Sequence, residues 1–378
     1  KNNHNLSTVS DCVIMKRVTF NSFYFRRAGH NTIEPMKYSL IILLGVSMFH
    51  STTHGGENQA ASVVEVDHQQ VRTAVEKSLL LLERGSAGSA EKRPCFTCHS
   101  QALPVLAITA ARDLGFKIDK ANLRRQLDHT AEFLSRGKEN YVAGKGQGGR
   151  IDTAGYALWT LQAGNHKPDT VTAAVAEYML QTNVDSGHWA HSSNRPPTEA
   201  SDFTTTYVAL RGLAAFGTAD QKSRISERQE AVLQWLLKSK TVDTEDRVFQ
   251  LRALFVAQAE KSTQRAFADK LIATQRSDGG WAQKDDMNSD AYATGTVLSS
   301  LAQTGHVLTT SPVYQNGLRF LLKSQKVDGS WLVESRSKPF QKYFETGFPH
   351  GAHQFVSTSA TAWATIALLE TLSKSDSK

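Results

Sequence analysis

Three aspartates set the first constraint on this chain. Asp202, Asp246 and Asp290 stand 44 residues apart, and each is followed seven and eight residues later by an apolar pair, Ala209-Leu210, Ala253-Leu254 and Val297-Leu298. A period of this length marks a repeat architecture, in which each unit buries its apolar face against its neighbours. Apolar positions within the units fall at helical spacing: Tyr207, Leu210, Leu213 and Ala214 in one, Val297, Leu298 and Leu301 in another. Amphipathic helices are predicted between them at 121–136, 169–181, 223–239, 262–275 and 312–325. Arg124, Arg125, Glu132, Lys238 and Lys323 mark their outward faces.

Two of these helices run into the same turn. Gln275 to Trp281 and Gln325 to Trp331 share the pattern Q-x-x-D-G-x-W, and Gln181 to Trp189 is a looser copy, two residues longer. Asp-Gly supplies a tight turn with a left-handed glycine, and the Trp can pack under the Gln and lock successive hairpins.

These turns resemble the QW motifs of the squalene-hopene and oxidosqualene cyclases, a superfamily that includes the protein prenyltransferase β subunits. Asp290-Ala291-Tyr292-Ala293-Thr294-Gly295 and Ser359-Ala360-Thr361-Ala362-Trp363-Ala364 resemble the inner-helix openings of that group, and the likeness spans roughly residues 66–374. It implies an all-α fold, an α/α toroid of six inner and six outer helices. The inner ones would lie near 100–115, 152–163, 202–216, 246–259, 290–304 and 359–373. With a helix over Val71–Leu82 as the first outer one, the amino-terminal outer helix packs beside the carboxy-terminal inner helix and seals the ring.

Residues 1–61 read differently. Met36-Lys37 precedes the apolar run Leu40 to Val46, then small and polar residues to Ala60-Ala61, the pattern of a signal peptide behind an upstream leader. The run is too short to span a bilayer, so no stable transmembrane span is expected after leader removal. The toroid domain is then 62–378, and export, to the periplasm, is the expected location. The leader carries Lys1, Lys16, Arg17, Arg26, Arg27 and Lys37 against Asp11, Glu34 and Glu57, so the chain's +7 falls to +4 over 62–378. Its Lys and Arg are scattered among acids, and no nucleic-acid footprint results.

Removing the leader also removes Cys12 and leaves Cys95 and Cys98, in Cys95-Phe96-Thr97-Cys98-His99. C-x-x-C-H is the spacing of covalent haem c: two thiols take the porphyrin vinyl groups and the imidazole, here His99, is the iron's proximal metal ligand. The same residues suit a C-x-x-C disulfide or redox pair, or a zinc half-site with further ligands elsewhere. Counting back from Gly115 by the 15 residues that separate Asp202 from Gly217 lands on Ser100. The motif is therefore expected at the rim of a central cavity, where inner helices begin and Asp202, Asp246 and Asp290 can act as caps. The long connection Leu332–Val356 offers His350 or His353 as second axial ligand, ahead of Met179, Met287, His188 and His191.

A second constellation is Asp243-Thr244-Glu245-Asp246, which resembles the D-x-D-D motif of class II terpene cyclases. The resemblance puts Glu245 at the proton donor, with Asp243 and Asp246 flanking it. Arg247 next door would favour its ionised form. Room for one helical domain rather than two, and a modest aromatic content, also depart from the family. The prenyltransferase zinc set is not matched: Asp290 fits its Asp, but its Cys position is Tyr292.

Three readings follow. The first is an exported toroid with haem c at Cys95, Cys98 and His99, acting with a redox partner or on an apolar ligand. The second is a reduced class II cyclase acting on an isoprenoid small molecule through Glu245. The third is a haem-free scaffold or binding module with a Cys95–Cys98 disulfide.

Overall fold

A computed structural model describes residues 65–337 and 344–373 of the chain, all within one compact unit. The predicted signal peptide and Cys12 lie outside the described residues. Among these residues the inner helices are α2 (Leu103–Asp113), α5 (Arg150–Ala163), α7 (Asp202–Phe216), α9 (Thr244–Val256), α11 (Ala291–Gln303) and α13 (Gln354–Leu369). Each packs on the next and α13 returns to α2, closing the ring. The outer helices are α1 (His68–Lys92), α3 (Lys120–Arg136), α6 (Thr170–Gln181), α8 (Lys222–Lys238), α10 (Lys261–Ile272) and α12 (Pro312–Ser324), with α4 (Lys138–Val142) a short extra turn. The fold is the all-α toroid, six helices within six. Among the described residues no helix is long and apolar enough to cross a membrane.

Burial separates the two rings as physics requires. All but one of the α13 residues from Gln354 to Leu369 are buried, so this helix has no solvent face, whereas α3 buries Leu123, Gln126, Thr130 and Leu134 on one stripe and is charged elsewhere. The seal is also as expected: α1 lies against α13, with Ser78 Oγ 2.7 Å from Thr365 Oγ1.

The Q-x-x-D-G-x-W turns act as clasps. Trp281 and Trp331, both buried, donate their indole N–H to the carbonyl ten residues upstream, Leu271 (3.1 Å) and Leu321 (2.8 Å). The backbone N–H of each Trp donates to a threonine hydroxyl on the next inner helix, Thr294 or Thr361. Each Gln amide donates to its own turn and to the next outer helix, Gln275 to Val313 O and Gln325 to Ala74 O. Gly279 and Gly329 hold φ of +86° and +93°, the left-handed turn the motif requires.

In the longer copy Trp189 makes the same bonds, to Met179 O and Thr206 Oγ1, but Gln181 turns to Glu177. Arg228 of α8 replaces it, donating to the carbonyls of Thr182, Asn183 and Val184.

The expected caps are corrected in two of three places. Asp290 does cap α11, accepting from Ala293 N at 2.9 Å. Helix α7 is capped instead by Ser201, one residue before Asp202, and α9 by Asp243, three before Asp246. A hydroxyl or carboxyl just outside the helix reaches the free N2 and N3 amides; a residue already inside the first turn does not.

Candidate functional site

All six inner helices run the same way, so their amino ends gather on one rim. Contacts between the helix starts show this: Ser201 donates to Asp246 (2.7 Å), Thr204 and Tyr292 to Glu245 (2.8 and 3.0 Å), Thr205 to Asp152, and His99 packs edge-on against Phe355. Carboxyl groups belong at such a rim, because helix amino ends carry unsatisfied N–H groups and partial positive charge.

Glu245 is the lumen-facing acid of α9 and is 3% exposed. Burial pushes its pKa well above the usual carboxyl range, and nearby Asp243 and Asp246 push the same way, against the hydrogen bonds from Thr204 and Tyr292. Burial therefore favours the neutral carboxyl, and Thr204 and Tyr292 fix its orientation. Arg247 does not counter this: its guanidinium lies 3.7 Å from Asp285 on the outer side. Asp243 caps α9 and lies 3.9 Å from Arg336, and Asp246 accepts from Ser201 and from Val242 N. Both position Glu245 without touching it by any bond described.

Two rim acids come from positions that sequence reasoning missed. Asp152, on α5, accepts from Thr205 and Ser192, and burial raises it to about 6 despite those bonds. Glu199 sits in the connection between α6 and α7, where no periodicity points to it. Burial alone would raise its pKa, but His99, Arg195 and the Cys98 thiol bring it down to about 2. Tyr156 and Tyr292 are buried beside these acids.

Cys98 opens a π-helical turn, Cys98–Ala102, that leads into α2. Its thiol is buried against Glu199, and burial together with the charges of Glu199 and Asp152 raises its pKa. His99 Nδ1 lies 3.5 Å from Glu199 Oε1. Cys95 is exposed, Cys98 is buried, and both thiols are free, so the Cys95–Cys98 bridge of the scaffold reading is not formed. Thr97, between them, is extended (φ −132°, ψ 134°).

The same geometry tests the haem. A c-type haem needs both thiols free to reach the porphyrin vinyl groups and an imidazole nitrogen open to the iron. Here Cys95 is exposed while Cys98 is buried under Glu199, and His99 Nδ1 faces the same carboxylate, which leaves only Nε2 for a metal. The donor types suit iron; their placement in this structure does not fit the macrocycle.

His350 is also placed elsewhere. Its Nε2 lies 2.7 Å from Ser330 Oγ over the second Q-W turn, while Ser335 N donates to His353 Nδ1. Thr346 and Phe348 press on Gly88 and Gly85 of α1, so this part of the connection is fastened to the outer wall rather than laid across the rim.

Below the rim the lumen is packed rather than hollow. Trp159, Tyr207, Phe249 and Trp363 are each no more than 6% exposed, and the Trp159 and Trp363 rings are 6.0 Å apart across the ring. The lumen-facing stripe of α9 reads Glu245, Phe249, Arg252, and that of α5 reads Asp152, Tyr156, Trp159, both at i, i+4, i+7. Acids thus lead to aromatic rings, with guanidinium groups beyond.

Residues 208–378 match the squalene-hopene cyclase C-terminal domain. The match covers less than half of the chain, and no curated protein matches it in sequence. Among solved structures, a glycosidase variant in complex with glucose is 13% identical, with a TM-score of 0.55 over 81% of this chain and 100% of that one. The type II terpene cyclase MstE from Scytonema, without ligand, is 14% identical, with 0.52 over 81% and 99%. A variant of MstE in complex with its substrate, geranylgeranyl dihydroxybenzoate, gives 13% and 0.50 over 80% and 98%. At such identities the likeness shows the fold alone, and a fold shared by a glycosidase and a cyclase does not select a reaction. The sequence match and the toroid together support the squalene-cyclase-type superfamily.

Proposed function

We propose that the protein is an acid catalyst of the class II cyclase type, taking an apolar isoprenoid-like ligand into its lumen. Glu245 is the proton donor. The observation that carries this reading is Glu245 itself: a buried carboxyl whose surroundings favour its neutral form, oriented by Thr204 and Tyr292, one turn above aromatic rings. Protonation of a carbon–carbon double bond needs a proton kept out of water and a surface that stabilises the cation formed. Phe249, one turn below Glu245, and Trp363, Trp159 and Tyr207 supply such a surface. Asp243 and Asp246 hold the start of α9 in place.

The test is incubation of the whole chain with squalene and with a geranylgeranyl-bearing phenolic acid, followed by a search for cyclised isomers of unchanged mass. Cyclised product is expected from the wild type and not from Glu245→Gln. Absence of product, or product that survives Glu245→Gln, would contradict the proposal.

A second reading has its own observation, the packed lumen. If the rings do not part for a ligand, the toroid is a non-catalytic scaffold. In that case neither squalene nor the geranylgeranyl compound would be taken up or raise the melting temperature.

A further inference from the structure

Polar groups that acid chemistry does not use gather at the other end of the lumen. Arg252, on α9, is 3% exposed; its Nη1 donates to Gln303 Oε1 at 2.8 Å and its guanidinium lies close enough to the Tyr207 hydroxyl to lower that phenol's pKa, while its Nε and Nη2 make no well-formed hydrogen bond. Its guanidinium carbon lies 5.0 Å from the Trp363 ring centre and 5.9 Å from those of Tyr207 and Phe249. Trp363 is 1% exposed and its indole Nε1 is also unpartnered. Arg211, on α7, lies 5.0 Å over Trp159 and donates from Nη1 to Tyr207 Oη at 3.2 Å, with its Nε unpartnered. Four orphan N–H-bearing atoms therefore border one aromatic cluster.

Ring faces stabilise a guanidinium lying over them. That effect does not satisfy N–H groups in the guanidinium plane, or the indole N–H. Leaving such buried donors unmade is costly. The carboxyl of Glu370 feels the charge of Arg252 but makes no hydrogen bond to it, Gln303 standing between them (Gln303 Nε2 to Glu370 Oε1, 2.8 Å). Gln303 is exposed, and Arg211 and Glu370 are partly so, which gives this end an approach from solvent.

We propose that the carboxyl end of the lumen binds an apolar carboxylate. Its oxygens take the unpartnered N–H groups of Arg252, Arg211 and Trp363, and its body lies against the rings of Trp159, Tyr207 and Phe249. Guanidinium pairs suit the planar, two-oxygen geometry of a carboxylate. The site uses none of the rim acids, but it shares these rings with the proposed reaction, and because the rings are packed they must part to admit the ligand.

Calorimetric titration of the full chain with benzoate, benzyl alcohol and inorganic phosphate tests it. Benzoate is expected to bind saturably with one site per chain and benzyl alcohol not to bind. Trp363→Phe, which keeps a ring and removes the N–H, should weaken benzoate about tenfold, and Arg252→Gln more than that. Arg211→Gln, at a partly exposed position, gives the same readout if Arg252→Gln does not fold. No benzoate binding, or equal binding by wild type and these variants, overturns the site. Phosphate binding as tightly as benzoate overturns its apolar half.

Discussion

The two ends of the lumen are built from opposite charges. At the amino ends of the inner helices stand Asp152, Glu199, Glu245 and Asp290; toward the carboxyl ends stand Arg211 and Arg252. Helix dipoles favour the acids at the amino ends, whereas Arg211 and Arg252 stand before the last turn of their helices and lie over ring faces instead. The ends differ in how they are satisfied. Rim acids accept hydrogen bonds from Ser201, Thr204, Thr205, Ser192 and Tyr292, whereas the guanidinium groups keep donors without partners. A satisfied cluster is set up to hold or move a proton; an unsatisfied one is set up to receive something.

The largest effect should come from breaking what joins the two ends. Trp363 fills the waist of the lumen, and Trp363→Ala is expected to lower unfolding free energy by about 4 kcal/mol in urea titration. A loss under about 1 kcal/mol would mean that the waist is not packed.

The next tests the rim by pH. Asp152 and Asp290 are each raised from 3.8 to about 6, mainly by burial, so the folded chain binds these protons more tightly than the unfolded chain. Stability from each is fully present below pH 3.8 and declines through pH 6, by about 3 kcal/mol per group. Glu199 works in the opposite sense: depressed from 4.5 to about 2, it stabilises above pH 4.5 and that contribution is lost as pH falls toward 2. Asp152→Asn should therefore flatten the decline between pH 4 and 7 expected of the wild type. An unchanged slope would place Asp152 in water.

A smaller effect separates the true caps from the spaced aspartates. Ser201→Ala should cost about 1 kcal/mol through the freed amides of α7 and also loosen Asp246, while exposed Val242→Ala should change little. Equal effects would sink the cap assignment. Least costly to stability is the thiol test. Chain made alongside a cytochrome c maturation system should show no covalently retained haem in a pyridine haemochrome spectrum, and covalent haem would mean that Cys98 leaves Glu199.

Much of the ring was legible in the sequence, because outer helices alternate charged and apolar faces and glycines stop the inner ones. The clasps were legible too, since Q-x-x-D-G-x-W encodes a left-handed glycine and a buried indole. The lumen was not. An inner helix is buried on every side, so its pattern does not tell the face turned to the ring's centre from the face turned to its neighbours. Glu245, Phe249 and Arg252 did carry a signal at i, i+4, i+7: two charged residues and an aromatic ring on one stripe of a helix that is buried along most of its length. Asp202 misled because its repeat spacing matched that of Asp290, while Ser201, one residue earlier, sat better for capping. Glu199 left no trace, since it lies in a connection and gains its meaning only from His99, Arg195 and Cys98 brought beside it.

The claim on which the rest stands is that Glu245 keeps its proton at neutral pH. Infrared difference spectroscopy between wild type and Glu245→Gln at pH 7 reads this directly. The account predicts a protonated-carboxyl band in the wild type that the variant lacks. Only an ionised-carboxylate band disappearing with the substitution would contradict it.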